Sequence, residues 1–87
     1  MRIYLQSQPT ETGVIRFVHL VLQEDLMGGW SLIRESGKQG SPGTVKRENF
    51  AGKEQALEAM IKWRDKNINR GYRVAFMEGD KLPADRC

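Results

Sequence analysis

A small α+β domain is what this sequence predicts: a mostly antiparallel five-stranded sheet with one α-helix packed on one face. Three observations carry that expectation. Five short segments favour β structure, most of them alternating apolar and polar residues with a period of two, as half-buried strands do. One segment, 53–69, instead spaces its apolar residues at helical intervals. The connections between strands are too short for parallel crossovers except across that helix, so the pairing is mostly antiparallel.

The first strand is expected over 1–6, where Ile3 and Leu5 alternate with Arg2, Tyr4 and Gln6. Residues 7–13 hold Pro9, Thr10, Thr12 and Gly13 and read as a turn-rich connector. The strongest strand signal lies over 14–23, crowded with β-branched and aromatic residues. Both of its faces are apolar over 17–22, which predicts a central strand covered by a helix on one side and by loops or a partner on the other. His19 falls inside this run. It reads as a packed core residue rather than a ligand, because no second ligand stands at useful spacing.

Residues 24–29 form a turn ending in Gly28 and Gly29, and Trp30 anchors the next strand in the core. Gly37, Gly40 and Gly43 then recur every third residue, with Pro42 before the last. Such density implies positive φ or a close approach to another molecule. The plain reading is a hairpin with a longer loop, since Thr44, Val45 and Phe50 resume β-favouring chemistry.

For the helix over 53–69, Gly52 is a serviceable N-cap and Gln55 can reach back to it in half a capping box. Phe50 and Ala56 are placed for a weak hydrophobic staple. Ala56, Met60 and Trp63, with Leu57 and Ala59 alongside, mark the stripe that faces the core. Lys66 and Arg70 crowd the last turn, favourable against the helix dipole, and Gly71 supplies the left-handed residue beyond it. Residues 72–77 alternate again as a final strand. The expected domain spans 1–78, and 79–87, with Gly79 and Pro83, reads as a flexible tail.

Eighty-seven residues suit one domain, and 39% hydrophobic content sits far from the disordered regime. No apolar run approaches the ~20 residues needed to span a bilayer. The N-terminus is too short and too soon polar for a signal peptide, so the cytoplasm is the expected location. The single cysteine, Cys87, excludes an intrachain disulfide framework. One histidine and one terminal cysteine supply neither a metal cluster nor a Cys/His pair, and the serines lack a second base. No enzyme, metal, cofactor or small-molecule substrate is therefore expected. Gly37-Lys38 fails as a phosphate-binding P-loop, because Leu32 and Gln39 stand where a glycine and a serine or threonine are needed. Gly37-Lys38-Gln39-Gly40 matches a GXXG loop, but follows a strand where that loop joins two helices.

What remains is binding. The net charge is only +3, yet its distribution is uneven. Arg34, Lys38, Lys46, Arg47 and Lys53 face two acids, and Lys62, Arg64, Lys66, Arg70 and Arg73 face Asp65 alone. The rest of the chain is net acidic. Two basic segments on such a body predict a polyanion-facing side if the fold brings them together, and a solvated surface if it does not.

The run from Asp25 to Glu35, DLMGGWSLIRE, resembles the approach to the motif of the WGR domain, a module found in DNA-dependent poly(ADP-ribose) polymerases and as short bacterial proteins. The family motif is Trp-Gly-Arg, one residue, Gly, two residues, Gly. Here it stands as Ser36-Gly37-Lys38-Gln39-Gly40-Ser41-Pro42-Gly43, with every glycine in place. Ser36 holds the tryptophan position and Lys38 the arginine position. Phe50, Glu54 to Ala56, Lys66 and Arg70-Gly71-Tyr72-Arg73 continue the resemblance, which spans about 16–73.

The resemblance implies an α+β fold and contact with the ribose-phosphate backbone of DNA, with ends or nicks as candidate targets. Lys38, placed at the loop tip, takes the arginine's role there, while Gly37 and Gly40 let the backbone come close. Lys66 takes another phosphate. Arg34, Ser36, Lys46, Arg47 and Arg70 complete the expected nucleic-acid-binding set. Lysine for arginine keeps the charge and loses the bidentate fork, and serine for tryptophan removes the stacking surface. The rival class is a protein-interaction module docking the same loop on an acidic partner surface.

Overall fold

The computed structural model describes residues 1–79. Within them lie β1 (Arg2–Gln6), β2 (Arg16–Glu24), β3 (Trp30–Lys38), β4 (Thr44–Phe50), α1 (Lys53–Asn69) and β5 (Arg73–Glu78). Of the tail expected over 79–87, only Gly79 falls inside the described residues, and Cys87 lies outside them. The sheet order is β4-β3-β2-β1-β5 with every neighbour antiparallel, so the α+β expectation holds. Helix α1 carries the chain from one sheet edge to the other. Four strand gaps span about 19 Å and a helix of this length about 25 Å, so one helix suffices for the crossing. Among the described residues, no helix is long and apolar enough to cross a membrane.

Ile3, Leu5, Val18, Leu20, Leu22 and Leu32 project from the sheet onto Ala56 and Met60 of the helix, and together they form the core. Strand β2 alternates buried Val18, Leu20 and Leu22 with half-buried Phe17, His19 and Val21. The second set faces away from the helix. His19 is thus a corrected expectation: it lies on the helix-free face with its ring edge-on to Tyr4, not in the core.

The helix bounds match the sequence reading, but its buried stripe is rotated. Ala56, Met60, Arg64 and Asn67 are buried, while Trp63 is half-buried beside the core. Arg64, 5% exposed, donates from Nε and Nη2 to Oδ1 of Asp65 at 3.0 and 2.9 Å. Gly52 caps the N-terminus in extended conformation without any side-chain hydrogen bond, so the half capping box does not form. At the other end Gly71 N donates to Ile68 O and Tyr72 N to Asn67 O, each at 3.0 Å. That is the double closure expected where a left-handed residue, here Gly71, follows the last turn.

The glycine-rich loop is shorter than the sequence implied. Strand β3 runs through Gly37 and Lys38, so Lys38 ends a strand instead of tipping a loop. A Cβ on Gly43 would stand 2.8 Å from the Ser36 carbonyl oxygen and 2.9 Å from Glu35 Cγ. Gly40 sits at φ +87 in the turn closed by Ser41 N donating to Lys38 O. The hairpin itself therefore accounts for these glycines.

Candidate nucleic-acid interface

The antiparallel register decides which basic side chains share a face. Leu20 pairs with Arg34 and Arg34 with Lys46, so both cations project on the helix side of the sheet. Two residues further along β3, Ser36 pairs with Val18 and Thr44 on the same side. Lys38 then pairs with Arg16, again helix-side, beyond the buried core. The second half of α1 arrives over this end of the sheet and brings Trp63, Asn67 and Arg70. Between them lies a cavity of about 370 Å³ whose walls include Arg16, Arg34, Ser36, Thr44, Trp63 and Arg70.

Arg34 is the best-defined element of that cavity. Its Cζ lies 4.0 Å from the centroid of the Trp63 ring, within cation–π range. Lys66 Nζ stands 4.8 Å from the same centroid. The Arg34 Nε is enclosed and has no hydrogen-bond partner. Among the described residues, none of Arg16, Arg34, Lys38, Lys46, Lys66 and Arg70 is ion-paired, while Arg2 and Arg64 are. Glu35, the acid adjacent to Arg34 in sequence, projects on the opposite face opposite His19 and Val45. Six cations thus gather at one end of one face, none of them ion-paired among the described residues, with Glu48 two residues beyond Lys46 on that face. An arginine held over an indole ring keeps the rest of its donor fork for a phosphate or a carboxylate.

Of the residues expected from sequence, Arg34, Ser36, Gly37 and Arg70 line the cavity. Lys46 and Lys66 flank it through Arg34 and Trp63. Lys38 opens onto a neighbouring groove shared with Gln39 and Ser41. Gly40 lies in the turn beyond. Arg47 is not part of the assembly: it pairs with Ile33, and its side chain projects on the helix-free face. Arg16, Thr44, Asn67 and Tyr72 line the cavity and were not expected there. Arg16 was findable, because it lies two residues before Val18 and shares its parity with Leu20 and Leu22. Trp63 was expected in the core, and its half-buried place beneath Arg34 follows from the rotated stripe that buries Arg64 instead.

Among the described residues, no group of His, Cys, Asp and Glu is placed to hold a metal ion. No curated protein matches the chain. The WGR domain family model matches residues 1–78. That match takes in every strand and the helix of the described residues and all the cations of the cavity. The chain therefore belongs to the WGR domain family.

Proposed function

We propose that this protein is a non-enzymatic module that binds DNA by its phosphates, through the basic helix-side end of its sheet. WGR domains are binding modules of nucleic-acid type, generally non-catalytic on their own. The observation that carries the reading is Arg34, held over the Trp63 ring with its Nε enclosed and without an ion pair among the described residues. Partial burial of this guanidinium costs desolvation, which a phosphate oxygen bound at its Nη groups offsets. Arg16, Lys38, Lys46, Lys66 and Arg70 surround it and supply charge for neighbouring phosphates on the same strand.

Phosphate contact fixes position and carries no base information, so sequence-tolerant binding follows. Ser36 stands at the rim of the cavity, where the family motif has tryptophan. It offers no ring to cover a duplex end, which favours backbone contact over end recognition. The direct test is titration of free-ended and closed circular duplex DNA with the wild type and with the Lys46→Glu/Arg70→Glu double variant. The expected result is comparable binding to both DNAs by the wild type and loss of both in the variant. Wild-type binding that is undetectable even at low salt would contradict the reading and favour an acidic protein partner.

A further inference from the structure

The helix-free face of the sheet has chemistry of its own, and the cavity on the other side shares only Phe17 and Gly37 with it. Register and alternation place Phe76, Tyr4, His19, Glu35 and Val45 in one row across all five strands. The row spans about 19 Å at ordinary strand spacing. Phe17 lies beside it, its ring 5.8 Å from that of Tyr4 and inclined by 21°. Phe76 is 49% exposed and Val45 60%, no helix or strand among the described residues covers the row, and only the Gln39 side chain is seen to reach onto it, donating to Tyr4 Oη at 3.2 Å. Arginines bracket it: Arg73 beside Gln6 on one edge, Arg47 on the other, and Arg2 with its Cζ 5.8 Å from the Phe76 centroid. Of the two carboxylates here, Glu78 is bound to Arg2 at 2.8 Å.

We infer that this face is a stacking platform for single-stranded DNA, a second nucleic-acid surface distinct from the phosphate-binding cavity. Aromatic rings with arginines at their margins suit bases in the middle and phosphates at the edges. A continuous duplex hides its base faces and cannot use such a row. The remaining acid, Glu35, sits between His19 and Val45, where it can accept from the exocyclic amino group of a stacked base. A second copy of the chain fits less well as occupant, because aligned sheets would set the arginine-bearing edges of the two faces against each other. The choice of DNA over RNA rests on the reading that this protein meets DNA. The platform itself stands on a different surface and fails or survives separately.

The test uses a labelled single-stranded oligodeoxycytidine, its RNA counterpart and a blunt duplex, titrated into the wild type, Phe76→Ser, Arg47→Ser and Arg34→Gln. Phe76 is exposed, so its replacement leaves the fold intact. Loss of one ring corresponds to a drop of about five- to 150-fold in single-strand affinity. The expected pattern is that drop for Phe76→Ser with duplex binding unchanged, a smaller drop for Arg47→Ser, and loss of duplex binding alone in Arg34→Gln. Crosslinking of a bromodeoxyuridine strand is expected at Phe76 or Tyr4. Single-strand binding unaffected by Phe76→Ser but lost in Arg34→Gln would overturn the inference, as would crosslinks confined to the helix side. Absence of single-strand binding, binding of RNA alone, or a wild-type dimer dissociated by Phe76→Ser would overturn it equally.

Discussion

Strands β2, β3 and β4 present two different surfaces one residue apart. The row Leu20, Arg34, Lys46 faces the helix, and the row His19, Glu35, Val45 faces away from it. On the helix side the row begins in the core and ends in two cations that are not ion-paired among the described residues. On the other side it has an aromatic start, a carboxylate and an exposed valine. Since side chains alternate strictly along a strand, a shift of one residue in register would exchange these surfaces. The comparison teaches that basic residues clustered in sequence are not thereby clustered in space. Lys46 and Arg47 are neighbours in the chain and sit on opposite faces.

Stability should separate the two faces most sharply. Leu20 is fully buried, so Leu20→Ala is expected to cost about 2–5 kcal/mol in denaturant unfolding. His19→Ala, one residue away, should cost less than about 1 kcal/mol, because its ring is half-buried on an uncovered face. Similar losses for both would mean that the second face is covered too.

DNA binding gives the next largest contrast. Arg34→Gln removes a charged hydrogen-bonding group worth about 1.5–3 kcal/mol, so duplex affinity should fall roughly ten- to 150-fold in a fluorescence anisotropy titration. Arg47→Gln should change duplex affinity by less than about threefold, the size of a screened, distant charge. Equal effects would show that duplex DNA reaches both faces.

Ser36→Trp sharpens the helix-side reading further. Restoring the motif's ring at the cavity rim should tighten binding to free-ended DNA by about 1–3 kcal/mol, with closed circles barely affected. Equal tightening on both would mark nonspecific stacking. The smallest expected effect is that of Lys38→Glu on folding. Lys38 is exposed and unpaired among the described residues, so thermal stability should stay within roughly 0.5 kcal/mol, although it faces Arg16 across the strands. Unfolding of this variant would place Lys38 in a structural role.

Much of the architecture was legible because local and global preferences agree. The helix bounds followed from Gly52, the apolar spacing and Gly71, and those signals act within a few residues of one another. The strands followed from alternation. The glycine loop was legible in part: glycine density announced close backbone approach, but the partner is the opposite strand of the same hairpin. The cavity was harder to see. Its first wall, Arg34 and Ser36, lies within the motif region, whereas Arg16 and Thr44 come from strands whose register no local pattern reveals. Trp63 and Arg64 were exchanged for a physical reason. Apolarity points to Trp63, but helix rotation is set by where Ala56 and Met60 meet the sheet, and Arg64 follows Met60 by one turn. An arginine can occupy such a site by packing its alkyl stem while its guanidinium reaches Asp65.

The salt dependence of duplex affinity tests the central claim most directly. If the helix-side cations contact two to four phosphates, the logarithm of affinity should fall against the logarithm of salt with a slope of about −2 to −4. Arg70→Ala should make that slope shallower by about one, since one phosphate contact is removed. Binding retained with a flat response to salt, or a slope that Arg70→Ala leaves unchanged while Arg47→Ala reduces it, would contradict phosphate contact at this end of the sheet.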